Sequence, residues 1–322
     1  MSTGDSEPSQ SWKPAWSSLI ALIIIGVALT AMLQRPASER QILVTSSHKL
    51  LLWFPLLYGI VAVSYAGRYW RWRLLLGRIG IGRLSWADLI GWFRGFALTA
   101  TPAKLGELNR IRQLHRQLNY PRSPLVHVFV VERIADASAV ALLLMLLTPK
   151  QLLVHFSGLN WIVELLLAVG VLAVVFFSAL RPLRCFLSNR LKRWHHHLPS
   201  GALGRAIWPA ILISMALWAN EALVLWLLVH LLSPAPISIP TAISIYLLSG
   251  VIGIASSLPG GVGVNEAVTV LLLSRLDIGP AVALPVAVLR RIITLWSIVV
   301  LAAAIRIFWP YPAFSSGRFA KG

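Results

Sequence analysis

The chain has 322 residues, 57% of them hydrophobic and only 12% charged, and long apolar runs recur from Leu19 to Phe308. That composition excludes a soluble globular domain and indicates a polytopic membrane protein. The formal net charge of +18 lies mostly in short loops between the apolar runs, where Lys and Arg set topology and meet anionic lipid. This placement argues against a nucleic-acid partner.

The first sixteen residues form a polar tail, and the run at 17–33 has no convincing cleavage site, so it reads as a retained span. Loop 34–49 carries three positive charges and leads to a second span at 50–67. The loop expected at 68–84 holds Arg68, Arg71, Arg73, Arg78 and Arg83. Residues 86–116 differ: an apolar stretch is broken by "LTATPAKLGELNRI" (98–111) before a shorter second stretch. Spans are expected at 125–147 and 160–180, then at 206–231 after a strongly basic loop, 181–205. A second broken segment, 241–276, is interrupted by "SSLPGGVGVNEAV" (256–268), and a last span at 282–305 precedes the tail 309–322. Cys185 is the only cysteine, which excludes an intrachain disulfide and Cys-based metal sites.

The chain repeats itself. Pro102 aligns with Pro259 and Gly106 with Gly263 at an offset of 157, while "VVERIADAS" (130–138) aligns with "VLRRIITLW" (288–296) at 158. The two halves, 17–147 and 148–308, each read as span, span, broken segment, span.

Loop charge decides whether the broken segments cross, because Lys and Arg accumulate on the cytoplasmic side. If each segment enters and leaves on one side, with the N-terminus inside, then loop 68–84, stretch 103–124, loop 181–205 and the C-terminus are all cytoplasmic. The outside then holds three positive charges in 34–49, one in 148–159 and none in 232–240. Full crossing, which gives eight transmembrane helices, moves two basic stretches outside. The expected fold is therefore an all-α polytopic membrane protein with about six transmembrane helices plus two re-entrant helical hairpins, in an inverted internal repeat. Both termini are cytoplasmic in the inner membrane. Each half crosses three times, so the hairpins enter from opposite faces, as in alternating-access transporters.

Non-helical backbone at membrane depth is tolerated where it lines a cavity. In the second hairpin Pro259 stops a helix, Gly260, Gly261 and Gly263 permit a tight turn, and a short helix is expected to start near Val264 with its amides and dipole favouring an anion. Pro102, Lys104 and Gly106 repeat the pattern in the first hairpin. A pair of packing turns is the bland alternative.

Nine charges fall inside the apolar region: Glu107, Arg110, Glu132, Arg133, Asp136, Glu221, Glu266, Arg290 and Arg291. At about 2.5 to 3.5 kcal/mol each, exposing them all to lipid would cost on the order of 20 to 30 kcal/mol. They must pair, face inward or line water. Glu132 and Asp136 share one helix face, and their repeat mates are Arg290 and Thr294. Either a salt bridge joins the halves across the pseudo-twofold, or the arginines bind a lipid phosphate and Glu132 and Asp136 serve as proton or ion coupling sites. Glu221 is either a third such site or a hydrogen-bonding partner within the bundle.

His195, His196 and His197 lie in a basic loop without a nearby carboxylate, so no metal site is assigned. His127 and His230 are expected to hydrogen-bond within helices, and Trp12, Trp16, Trp70, Trp72, Trp161, Trp208 and Trp309 to anchor at the membrane interfaces. No cofactor motif or catalytic residue is evident.

At "TPAKLGELNRIRQL", "VVERIAD", "SSLPGGVGVNEAV" and the following "LRRI", the chain resembles the flippase-like family named after the membrane region of lysylphosphatidylglycerol synthase. The family's motifs fall on Pro102, Gly106, Glu107 and Arg110; on Glu132, Arg133 and Asp136; and on Pro259, Gly260, Gly261, Gly263, Glu266 and Arg291. Lys104 and Asn265 stand where Arg is commoner in the family. The resemblance implies a lipid-handling protein linked with envelope lipids or lipid-linked sugars. It does not imply aminoacyl transfer, which belongs to a soluble domain.

The resulting expectation is a flippase or transporter that moves an anionic phospholipid or a polyprenyl-phosphate lipid between leaflets, with an envelope glycosyltransferase as a possible partner. The rivals are a membrane-embedded transferase with Glu107, Glu132 and Asp136 around a divalent ion, and a scaffold for envelope synthesis.

Overall fold

The structure, a computed structural model, describes residues 37–81, 85–98, 109–149, 202–256 and 258–308. The expected spans at 17–33 and 160–180, the three loop histidines and Cys185 lie outside the described residues. Within them the backbone is helical with short turns, and no strand occurs among the described residues.

Helix α1 spans Ala37–Arg78, α2 Trp86–Arg94, α3 Asn109–Leu118, α4 Arg122–Leu147 and α5 Ala202–Leu232. They are followed by α6 (Ile239–Ala255), α7 (Val264–Ser274), α8 (Pro280–Arg291) and α9 (Ser297–Phe308). A π-turn at Ile292–Trp296 joins α8 to α9, so the chain stays helical from Pro280 to Phe308. Among the described residues three stretches are long and apolar enough to cross a membrane: Lys49–Arg78, Arg205–Leu232 and Pro280–Ile305. Helix α4 has 26 residues but carries Glu132, Arg133 and Asp136 in its middle.

Among the described helices α1 and α5 make the broadest contact. Gly67 lies so close to Leu217 that an added Cβ would come within 2.4 Å of its side chain, the small-residue approach that packs helices in lipid. Asn220 donates to the Ile60 carbonyl at 2.7 Å and to the Ser64 hydroxyl at 2.9 Å, so the seam is also polar. Helices α4 and α6 pack on α5, and Leu225, Leu228, Ala222 and Ile245 are fully buried where they meet.

One expectation fails here. Residues 68–78 do not form a loop: α1 continues without a breaker to Arg78 and turns only at Gly80, whose φ is +80°. Arg68 and Arg71 therefore point into the bundle, and Arg71 is 1% exposed. Neither belongs in a count of solvated loop charges.

The two broken segments resolve into short helices. At 1.5 Å per residue, α2, α3 and α7 are each about 13 to 17 Å long, and α6 about 26 Å, all short of the ~30 Å hydrocarbon core. Helices α2 and α3 pack against each other, as do α6 and α7. Ser85 caps α2 by accepting the Asp88 amide at 3.1 Å, and Gly95–Leu98 then winds into a 3₁₀ turn that rests on α9. Helix α7 starts at Val264, as the sequence predicts.

Candidate functional site

A cavity of about 120 Å³ opens where these elements converge. Arg68 and Arg71 reach it from α1, Arg110 from α3, Glu132 and Arg133 from α4, Glu221 from α5, and Arg290 and Arg291 from α8. Tyr65, Trp92, Phe96, Trp218 and Tyr246 supply aromatic walls, and Gly260 and Gly261 bring bare backbone to its edge.

The turn at Gly260 and Gly261 owes its shape to residue type. Their φ angles are +63° and +65°, a region costly for residues with a Cβ. A Cβ at Gly261 would also strike the Gly253 carbonyl oxygen at 2.8 Å, so the turn packs directly on α6. Arg291 secures it from α8: Nε donates to Glu266 at 3.0 Å and Nη2 to the Gly260 carbonyl. Glu266 in turn accepts the Gly263 amide at 2.8 Å. That amide, expected to be open to an anion, is capped by the helix's own carboxylate.

On the opposite wall Glu132 accepts from Arg110 at 2.6 Å and lies 3.5 Å from Arg71. Arg71 also donates to Asp136 and to Ser214, and Arg133 pairs with Asp136 at 3.1 Å. The Arg110 guanidinium lies 4.2 Å from the centre of the Trp72 ring. Trp72 is fully buried, so it is not the interface anchor expected of it; Trp70 and Trp208, 65% and 54% exposed, are placed as anchors should be. The His230 ring bonds to the Trp226 carbonyl one turn back, at 2.9 Å, as expected.

The salt bridge envisaged between Glu132 or Asp136 and Arg290 is absent among the described residues. Each acid is matched by arginines from α1, α3 and α4, so α8 is not needed to neutralise it. Glu221 is also engaged, accepting from Arg68 at 2.9 Å and from the Tyr246 hydroxyl at 2.8 Å. Both broken segments share one device: the arm leaving the break is tied by an ion pair to the next long helix. Its polarity reverses, with Arg110 to Glu132 in the first and Glu266 to Arg291 in the second.

Arg290 is different. It is 2% exposed, donates only to the neutral groups of Asn265 and Thr269, and lies over the Tyr246 ring at 5.0 Å. No carboxylate pairs with it among the described residues, and its Nε has no hydrogen-bond partner there. The Nε groups of Arg68, Arg71 and Arg110 are unpartnered in the same way. Among the described residues six guanidinium groups thus converge with four carboxylates, Glu132, Asp136, Glu221 and Glu266, an excess of two positive charges around a space that can take an anion.

The family profile of the lysylphosphatidylglycerol synthase TM region matches residues 16–302, which takes in every one of these side chains. The chain belongs to that family. Members of the lysylphosphatidylglycerol synthase TM region family are membrane proteins related to lipid modification or transport, and the apolar helices here fit a multi-pass membrane protein. A search of curated proteins returns no match.

Of the predicted site residues, Arg110, Glu132, Arg133, Glu221, Gly260, Gly261, Arg290 and Arg291 line the cavity, and Asp136 lies behind it against Arg71. Glu266 braces the turn from the far side, and Gly263 faces away with it. Pro102, Lys104, Gly106, Glu107 and the Pro259 side chain lie outside what the structure describes. Sequence reasoning missed Arg68, Arg71, Tyr246 and the buried Asn265. Ser64, Gly67, Arg68, Arg71 and Leu75 fall at helical spacing on one face, and that periodicity was the available signal.

Proposed function

We propose that the arginine cavity receives the phosphate-bearing head group of an anionic lipid, a phospholipid or a polyprenyl phosphate, and that the protein moves it between leaflets of the inner membrane during envelope biogenesis. Arg290 carries this reading. A guanidinium held away from water without a carboxylate costs several kcal/mol, and a phosphate oxygen pair offers it the bidentate partner it lacks. Tyr246 and Asn265 fix its plane, so a ligand meets a preorganised fork.

The route is an inverted repeat of six spans and two re-entrant hairpins, with both termini cytoplasmic. The short paired helices, their reversed ion pairs and the turn at the cavity edge all support it. A head group entering beside Arg71 or Arg110 competes with Glu132 and Asp136 for the same guanidinium groups. A displaced carboxylate then takes up a proton or cation, which makes these two acids, with Glu221, the coupling sites. The transferase reading needs Glu132 and Asp136 free to hold a divalent ion, whereas both are committed to arginines.

The test is reconstitution in liposomes with labelled anionic lipids in one leaflet. Wild type should equilibrate at least one of them between leaflets, and Arg291→Ala should be at least tenfold slower. Equal rates, or no movement of any lipid tried, would refute the proposal.

A further inference from the structure

A second hollow, of about 590 Å³, runs between α7 and α8. Ala267, Leu271 and Ser274 recur on one face of α7, Leu284 and Val288 face them from α8, and Leu271 is 46% exposed. Among its described lining residues charge occurs at one end, where Glu266 and Arg291 meet. An apolar surface alone means little in a membrane protein, because lipid tails cover it at no cost. Here the surface is concave, and Arg291 lines both this groove and the arginine cavity. From Arg291 back to Pro280 the groove is about 16 Å long, near half the ~30 Å hydrocarbon core and so the depth of one leaflet.

We infer that the groove between α7 and α8 holds one hydrocarbon chain of the lipid whose phosphate occupies the arginine cavity, with Arg291 at the junction. This rests on the head-group reading above and adds the ligand's second half: a long-chain amphiphile rather than a water-soluble phosphate. The chain exchanges one apolar surrounding for another as it leaves the bilayer. The groove therefore orients the lipid and contributes little affinity, so chain position is the quantity to measure.

The experiment uses the full chain in nanodiscs of uncharged lipid containing a trace of phosphatidylglycerol with a diazirine at the end of one acyl chain. Glycerol phosphate binding is followed in parallel by phosphorus NMR. Photolabelling should concentrate in residues 264–274 and 280–291. Ala267→Trp, which fills the groove, should lower that labelling at least tenfold while glycerol phosphate binding stays within twofold, and Leu301→Trp, at an exposed position of α9, should change neither. If glycerol phosphate binds but labelling falls elsewhere, or Ala267→Trp leaves it unchanged, the groove assignment is wrong and the head-group reading stands. A photocrosslink from Leu284 to residues 160–180 in place of lipid would give the groove to the chain's own segment and also overturn it. Failure of wild type to bind either probe would remove the head-group reading, and this inference with it.

Discussion

Arg68 of α1 donates to Glu221 of α5 at 2.9 Å, and the Tyr246 hydroxyl of α6 meets the other carboxylate oxygen at 2.8 Å, so one buried acid joins three helices. Removing only one partner of such a pair strands the other, at about 3 to 5 kcal/mol. Glu221→Ala should therefore lower thermal stability in detergent by an amount of that order, and Arg68→Met combined with Glu221→Met should restore most of it. A double variant no more stable than Glu221→Ala would show that the pair's role is not mutual neutralisation.

Arg290 should behave in the opposite sense. Its charge has no acid to compensate it among the described residues, so replacement by an apolar side chain of similar reach relieves a desolvation cost. Arg290→Met is expected to melt no lower than wild type by more than about 1 kcal/mol, the worth of the hydrogen bonds lost to Asn265 and Thr269. The same variant should move anionic lipid at least tenfold more slowly in liposomes. A loss of several kcal/mol would mark Arg290 as a structural brace and weaken its claim as phosphate receiver.

The class of fold and most of the cavity's charged side chains were legible in the sequence, for reasons specific to each residue. Charges inside apolar runs announce themselves because lipid penalises them, which is why Arg110, Glu132, Glu221, Arg290 and Arg291 were found. The same contrast hid Arg68 and Arg71. They follow the apolar run of α1 and are succeeded by more arginines, so hydropathy ends the span at residue 67 although the helix continues. Pairing was not legible either. The mates of Glu132 are Arg71 and Arg110, 61 and 22 positions away, and only the packing of α1 and α3 on α4 decides that they precede Arg290.

The turn beside the cavity supplies a test of backbone geometry. Gly261 has φ of +65°, and a Cβ there would lie 2.8 Å from the Gly253 oxygen, so Gly261→Ala must push α7 away from α6. Strain of this kind costs about 1 to 3 kcal/mol and displaces Gly260 from Arg291. Lipid movement should fall at least tenfold, whereas Gly59→Ala, at a helical position with open space around the added methyl, should leave it unchanged. Equal activity of both variants would mean that the turn does not gate the cavity.

The proposal that the two hairpins enter from opposite faces makes a prediction about sidedness. Helix α3 ends at Leu118 and α7 at Ser274, so under that proposal Gln117 and Leu276 lie near the exits of the two hairpins. With Cys185 replaced, a single thiol at Gln117 should be shielded from an impermeant maleimide in intact cells and react once the membrane is opened. A thiol at Leu276 should react in intact cells. Under the positive-inside rule, Arg112, Arg116 and Arg122 should retain the first on the cytoplasmic side, and loop 232–240, which lacks Lys and Arg, should let the second face out. Labelling of both thiols from the same side would place the hairpins in parallel. Parallel hairpins cannot expose a shared cavity to each leaflet in turn, and the transport proposal would fall with the symmetry.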